Sequence, residues 1–119
     1  MFEFLPEAEG NVIGIKASDK LTDKDYQDFL PKLEAIFKEQ GKGRVLFYMD
    51  ENFQGWTAGA MWDDARFGLK HRKDFEKLSI VGGSEWIKWG MKLFSPLMSG
   101  EVKTFSRAQL QEAWEWVKS

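Results

Sequence analysis

A short apolar run at residues 44–49, with the sequence Arg-Val-Leu-Phe-Tyr-Met, constrains the fold most strongly. The run has the length of a strand, and a helical pattern lies on each side of it. Nearly continuous apolar strands of this kind are typical of parallel sheets that helices cover on both faces. The sequence therefore predicts an α/β fold in which residues 44–49 form a central strand.

Hydrophobic periodicity predicts four further strands and four helices. The predicted strands are residues 2–5, 12–17, 77–81 and 102–105, and the first two, joined by a turn at 6–11, are expected to be antiparallel. The predicted helices are residues 21–40, 57–73, 85–94 and a closing helix that follows a Ser-x-x-Gln capping box at residues 106–109. Pro31 lies inside the first helix and predicts a kink or a break there.

The resulting order of elements is ββαβαβαβα. Right-handed crossovers would wind the last four strand–helix units into a compact superhelix, with the helices packed on a mostly parallel sheet. Because 119 residues support one hydrophobic core, we expect a single domain, residues 1–119. On the second helix, one apolar face is predicted to pack closely against the sheet, and it consists of Ala58, Trp62, Ala65 and Leu69.

Bulk composition argues against several classes of protein. A net charge of −2 gives no overall attraction to nucleic acid. The absence of cysteine excludes disulfides and thiolate zinc sites, and a single histidine, His71, argues against a histidine metal cluster. No apolar run approaches the roughly 20 residues that span a bilayer, and the acidic N-terminal stretch is unlike a signal peptide. These features predict a cytoplasmic globular protein without a metal ion or a cofactor.

The loop after the central strand is the first candidate site, because ligands of open α/β sheets bind outside the carboxyl ends of the strands. Six tryptophans and ten phenylalanines exceed what one small core needs, so some rings are expected in an interface or a pocket. Phe53 and Trp56 would cover an apolar pocket, with the amides of Gly55 and Thr57 facing a ligand or partner. In the alternative interpretation both rings cap the core and Asp50 caps the helix.

The glycine turn at Gly82 and Gly83, with Ser84 and Trp86 at the start of the next helix, is the second candidate site. Free backbone amides at such a helix start can hold a phosphate or a carboxylate. The spacing matches neither the dinucleotide fingerprint nor the P-loop. A tight turn with Ser84 as the N-cap accounts for the residues equally well.

The third helix and the charged residues of the second suggest further possibilities. The apolar residues Trp86, Trp89 and Met91 beside Lys88 and Lys92 suit a partner surface, a peripheral membrane contact, the wall of a lipid cavity or a homodimer contact, as well as plain core packing. The polar residues Asp63, Asp64 and His71 are predicted to form a solvated helix face. No catalytic constellation emerges, so the sequence does not predict an enzyme.

Four segments carry a family resemblance, and they are residues 77–83, 86–89, 102–105 and 113–114. Their succession resembles the bacterial SpoIIAA-like family, which is similar in fold to STAS domains and is sometimes likened to lipid-binding Sec14 domains. The resemblance covers nearly the whole chain and implies a binding or regulatory module that is not an enzyme. Anti-anti-sigma relatives carry a phosphorylated serine after the central strand, whereas here Asp50 is followed by no serine and the nearest hydroxyl is Thr57.

The predicted function is therefore a STAS-like binding or regulatory module. It would bind an unknown protein partner, or a small apolar or anionic ligand, at the carboxyl edge of its sheet. The alternative is a Sec14-like carrier of a lipid or another hydrophobic ligand, with the third helix as a cavity wall. The surplus aromatic residues also make a homodimer a possible assembly, because exposed rings are buried when two copies associate.

Overall fold

The computed structural model describes residues 1–6 and 10–119, apart from the side chain of Trp86. The strands of this described part are β1 (Phe2–Phe4), β2 (Val12–Ala17), β3 (Lys20–Leu21), β4 (Gly43–Met49), β5 (Gly55–Trp56), β6 (Phe75–Val81) and β7 (Glu101–Phe105). The helices are α1 (Asp23–Gln40), α2 (Ala58–Lys70), α3 (Glu85–Phe94) and α4 (Leu110–Lys118), with short 3₁₀ turns at Ser95–Leu97 and Arg107–Gln109.

The main sheet has five strands in the order β1-β2-β4-β6-β7, so β4 lies in the middle. β1 is antiparallel to β2, and the other neighbours are parallel. These findings confirm the central strand, the antiparallel leading pair and the mostly parallel α/β fold. β3 and β5 form a separate two-residue parallel pair, which was not predicted. The turn predicted at residues 6–11 lies partly outside the described residues.

Side chains alternate across the sheet and divide the core between its two faces. On one face, Leu46 and Val81 pack with Trp114 and its neighbours on α4, and we call this side the α4 face. On the other, Val45 and Ile80 pack in clusters that include residues of α1, α2 and α3, and we call this side the three-helix face. Because β4 and β6 bury side chains on both faces, their sequences are apolar almost throughout.

The start of α1 is as predicted, and of the kink or break predicted at Pro31 the break is absent. Thr22 is the N-cap, its Oγ1 accepts from the Asp25 N–H at 3.3 Å, and Asp25 Oδ2 accepts from the Thr22 N–H at 2.9 Å. The helix then runs through Pro31 as one element, so the predicted break does not occur. Proline costs about 3 kcal/mol in a helix interior. Burial of several large apolar side chains, each worth roughly 1.5–3 kcal/mol, outweighs that cost, and they are Tyr26, Phe29, Leu33 and Phe37.

α2 presents a different face to the sheet from the one predicted. Its buried residues are Ala60 and Phe67, whereas Trp62 is 64% exposed and Leu69 is 43% exposed. Apolar side chains are spread around most of this helix, so periodicity alone does not identify the stripe that packs. The predicted packing face of α2, and with it the close approach of α2 to the sheet, was wrong.

α3 and α4 begin where the sequence indicated. Ser84 occupies the N-cap position of α3, although its side chain makes no capping hydrogen bond. Ser106 and Gln109 form the predicted capping box, in which the Ser106 N–H donates to Gln109 Oε1 at 2.9 Å. The box opens the 3₁₀ turn that leads into α4 and so sets Trp114 and the rest of α4 on the sheet.

Candidate functional site

The carboxyl ends of β4 and β6 open on one edge of the sheet, because the two strands are parallel neighbours. The loop 50–57 leaves β4 there, and the glycine turn 82–84 leaves β6. The two meet around a cavity of about 370 Å³, which we call the edge pocket. The edge pocket is lined by Phe53, Gln54, Gly55, Gly83, Ser84, Ile87 and Arg107. The structure thus brings together the two turns that were singled out in the sequence.

Four of the residues proposed for the site line the edge pocket, namely Phe53, Gly55, Gly83 and Ser84. Arg107 was missed by the sequence analysis. Its Nε donates to the Met49 carbonyl and its Nη2 to the Asp50 carbonyl, both at 2.9 Å. The available signal was its position just after β7, whose carboxyl end lies at the same edge of the sheet.

Two other candidate residues hold the loop in place. Asp50 is buried, its Oδ1 accepts from the Asn52 N–H at 3.0 Å, and its Oδ2 lies 3.8 Å from Lys16 Nζ. Thr57 is the N-cap of α2, because its Oγ1 accepts from the Ala60 N–H at 3.2 Å. Both side chains are therefore engaged in local structure, but Thr57 and not Asp50 caps the helix, so the alternative interpretation of Asp50 as the cap was wrong.

Gly82 is required by the backbone at the edge of the sheet. Its φ is +89°, and a Cβ at this position would lie 2.5 Å from the Met49 carbonyl oxygen. Its N–H donates to the Phe105 carbonyl at 2.9 Å. The positive φ and the close approach to Met49 both require a glycine here, which agrees with the interpretation of this segment as a tight turn. The side chain of Trp86 lies outside the described part of the chain, so the role predicted for it stays a prediction.

Trp56 lines a second, larger cavity, which lies between the three-helix face and helices α1, α2 and α3. This inner cavity has a volume of about 410 Å³. Its walls are almost entirely hydrocarbon and include Ile15, Val45, Phe47, Ile80, Phe29, Leu33, Met61, Phe67, Met91 and Phe94. The volume lies within the range of roughly 300–1,000 Å³ that is usual for small-molecule sites. Ile87 lines both cavities and so stands between them.

The inner cavity has one polar corner, formed by Trp56, Tyr26 and Asp64. Trp56 Nε1 donates to the Tyr26 hydroxyl at 2.8 Å, and that hydroxyl lies 3.0 Å from Asp64 Oδ1. The three residues come from the loop, α1 and α2. Asp64 is exposed, as predicted for a solvated helix face, but its carboxylate also lines the inner cavity and accepts from Tyr26, which was not predicted. Tyr26 supplied a usable signal, because a tyrosine on a buried stripe requires a hydrogen-bond partner.

The packing around this corner raises the pKa of both acidic groups, the Asp64 carboxyl and the Tyr26 hydroxyl. Burial raises the pKa of the Asp64 carboxyl, against the opposing effect of the hydrogen bond from Tyr26. Burial, and then the nearby Asp64 charge, raise the pKa of the Tyr26 hydroxyl. Asp64 nevertheless keeps accessible surface, because its side chain lies on a cavity wall that is open to the outside. The neutral forms of both groups are thus favoured relative to water.

The mouth of the inner cavity lies between α2 and α3, because Met61, Ala65 and Gly90 line the cavity and are also exposed. Four further large apolar side chains are exposed on the same two helices. They are Trp62 and Leu69 on α2 and Trp89 and Leu93 on α3, which are 43–65% exposed. The surplus of aromatic residues seen in the sequence is thus divided between a cavity wall and an outer surface.

His71 also differs from its prediction as part of a solvated face. Its side chain is 12% exposed, its ring centroid lies 4.4 Å from that of Phe67, and its Nδ1 lies 2.6 Å from Asp74 Oδ2. Among the described residues, no group of three or more acidic or histidine side chains is placed to hold a metal ion. Within residues 1–6 and 10–119, no helix has both the length and the apolar character needed to cross a membrane.

Known proteins match this chain over nearly its whole length. A family model described as SpoIIAA-like matches residues 12–118. The chain is also similar to the crystal structure of an uncharacterized protein of the DUF3478 family, with a SpoIIAA-like fold, from Shewanella loihica PV-4. The two chains are 28% identical, their TM-score is 0.77, and the match covers 98% of this chain and 93% of the other. No curated protein matches the chain.

Proposed function

The chain belongs to the SpoIIAA-like family, and on that premise we propose that it is a non-enzymatic binding module that holds a small apolar ligand in the inner cavity. The observation that carries the proposal is a cavity of about 410 Å³ whose walls are almost entirely hydrocarbon. Small-molecule sites are typically concave and apolar, with a few polar groups that fix orientation. Of the functions predicted from the sequence, this one corresponds to the carrier of a hydrophobic ligand.

The hydrophobic effect supports an occupied cavity. The inner cavity is open between α2 and α3, so without a guest its hydrocarbon walls face water. An apolar guest that displaces this water would gain about 25 cal/mol for each Å² of apolar surface removed from water.

The edge pocket is a second candidate for binding, directed at a protein partner or a small polar ligand. Its volume of about 370 Å³ and the Phe53 ring in its wall favour this candidate. Binding in the edge pocket and binding in the inner cavity can be distinguished by experiment. Phe53 also packs edge-on against Trp56 of the inner cavity, with ring centroids 5.0 Å apart, so the test uses Gln54, which lines the edge pocket alone. Gln54→Ala is expected to weaken binding at the edge pocket and to leave binding in the inner cavity unchanged.

Gly90 offers a direct test of the inner cavity. It lines the cavity, and a Cβ at this position would meet no atom within 4 Å. Because Gly90 is exposed at the mouth and its Cβ would clash with nothing, Gly90→Phe is expected to place a ring at the mouth of the cavity. We expect fluorescence titration with N-phenyl-1-naphthylamine, a neutral apolar probe, to show at least a roughly tenfold loss of affinity, because each buried CH₂ contributes about 0.8 kcal/mol.

Lys92→Phe is the matched control, because Lys92 is exposed on the same helix and lines neither cavity. It should bind the probe as the unmodified protein does, and circular dichroism should show that both variants are folded. Native mass spectrometry of protein from the producing cells should detect a co-purified apolar molecule that Gly90→Phe lacks. Unchanged probe binding in Gly90→Phe would refute the proposed site, and so would an unmodified protein that does not bind the probe.

A further inference from the structure

The polar corner of the inner cavity has a fixed direction of hydrogen bonding. Trp56 Nε1 can only donate, so the Tyr26 oxygen accepts from it and the Tyr26 hydrogen is directed at Asp64 Oδ1. Asp64 Oδ1 is therefore occupied by a donor. Asp64 Oδ2 has no hydrogen-bond partner among the described residues. The second oxygen of Asp64 is thus free of protein partners among the described residues and is available to a guest in the cavity.

The charges of the cavity wall limit what can meet that oxygen. Lysine and arginine are absent from the described residues that line the inner cavity, so the wall offers no cation to an anionic group. A carboxylate or phosphate of a guest would lie beside Asp64, and two like charges in an apolar site repel strongly. A cationic group would have to leave water for a site with a single polar corner, at a cost that one carboxylate repays only with excellent geometry.

From this geometry we infer that the guest of the inner cavity is a neutral molecule with an apolar body and a terminal hydroxyl group, which pairs with Asp64 Oδ2. A hydroxyl suits this oxygen in either protonation state, because it donates to a carboxylate and accepts from a carboxylic acid. The inference rests on the proposed function, since it names the class of ligand that the inner cavity takes. It also separates the inner cavity from the anionic ligands considered for the edge of the sheet.

Four probes with the same eight-carbon body test the inference, and they are 1-octanol, octanoate, octylammonium and octane. Isothermal titration calorimetry at neutral pH should show 1-octanol binding at least roughly tenfold more tightly than each of the other three, because a buried hydrogen bond to a charged or polar group is worth about that much. Octanoate is expected to be the weaker of the two charged probes.

Asp64→Leu should abolish the preference for 1-octanol over octane, and Asp64→Asn should reduce the discrimination against octanoate by removing the like charge. Asp63→Asn is the matched control, because Asp63 precedes Asp64 on α2 and does not line the inner cavity. It should keep the preference of the unmodified protein. If Asp64→Leu does not fold, Asp64→Asn still reports the effect of the charge.

Each other outcome contradicts a defined part of the inference. Equal binding of 1-octanol and octane would refute the role of Asp64 while the apolar cavity stands. Tighter binding of octanoate or octylammonium would refute the neutral class of guest. A preference for 1-octanol that survives in both Asp64 variants would refute the pairing with Oδ2. No binding of any probe, together with a negative result for N-phenyl-1-naphthylamine, would instead refute the proposed function.

Discussion

The two faces of the same sheet differ in how completely they are filled. On the α4 face, the Trp114 ring lies so close to β2 that a Cβ at Gly14 would stand 2.5 Å from its Cη2 atom. On the three-helix face, a cavity of about 410 Å³ lies beneath the helices, and a Cβ at Gly90, which is exposed at the mouth of that cavity, would meet no atom within 4 Å. Because β4 and β6 contribute to both faces, the empty space reflects how α2 and α3 are placed and is not a general looseness of a small protein.

The largest expected effect comes from emptying the filled face. Trp114→Ala should lower the free energy of unfolding by about 3–5 kcal/mol, because the ring is 7% exposed and packs in the core of the α4 face. Trp62→Ala is the matched control on α2, where the ring is 64% exposed, and should change it by less than about 0.5 kcal/mol. Urea denaturation measures both. Equal losses would show that the two faces do not differ as described.

A single added methyl group should have opposite effects on the two faces. Gly14→Ala should destabilise the protein by about 1–3 kcal/mol, because the new Cβ overlaps Trp114 and also lies 2.9 Å from Leu5 Cβ. Gly90→Ala should stabilise it by about 0.5–1 kcal/mol, because alanine is the better helix former and the space is free. Thermal unfolding monitored by circular dichroism distinguishes the two. A stabilising Gly14→Ala would contradict the tight packing inferred for the α4 face.

The smallest effect concerns pH and the polar corner. In the folded protein the pKa of Asp64 is raised above its ordinary value of 3.8. Below that value both the folded and unfolded forms are protonated, and Asp64 adds no pH dependence. As the pH rises, the unfolded chain releases the proton first, so the contribution of Asp64 to stability falls until the pH passes the raised pKa.

Asp64→Asn should therefore become more stable relative to the unmodified protein as the pH rises from about 4 toward neutrality. Urea denaturation at several pH values measures the difference in unfolding free energy. Asp63→Asn removes one charge from the same helix and should leave the downward trend due to Asp64 in place. A difference between Asp64→Asn and the unmodified protein that does not change with pH would contradict the perturbed environment of Asp64.

Much of the fold could be predicted because its signals are local. The apolar run at 44–49 marked the central strand, and the capping boxes at Thr22 and Ser106 marked the starts of α1 and of the turn before α4. Each of these features depends on residues that are close in the sequence. The meeting of the loop 50–57 with the turn 82–84 followed in turn from the parallel order of β4 and β6.

The inner cavity could not be predicted, because it depends on which stripe of α2 faces the sheet. Trp62 and Leu69 are as apolar as the residues that pack, so the sequence favoured the wrong stripe of α2 and gave no indication that the exposed Asp64 also lines a cavity. Tyr26 and Asp64, which are 38 positions apart, meet only once α1 and α2 are in place. The sequence did contain one signal. A tyrosine on a buried stripe needs a hydrogen-bond partner for its hydroxyl, so Tyr26 indicated that a polar residue from elsewhere in the chain packs against it.

Arg107 has a consequence beyond the edge pocket. Its two hydrogen bonds fasten the end of β4 to the segment that follows β7, so the carboxyl edge of the sheet is held as a rigid rim. Between α2 and α3, by contrast, no side-chain hydrogen bond or ion pair joins described residues. Under the proposed function, a ligand that enters between these helices would displace apolar contacts alone and would leave the hydrogen bonds of the sheet in place. Ligand exchange would then be independent of the sheet edge that Arg107 holds, since Arg107 does not line the inner cavity.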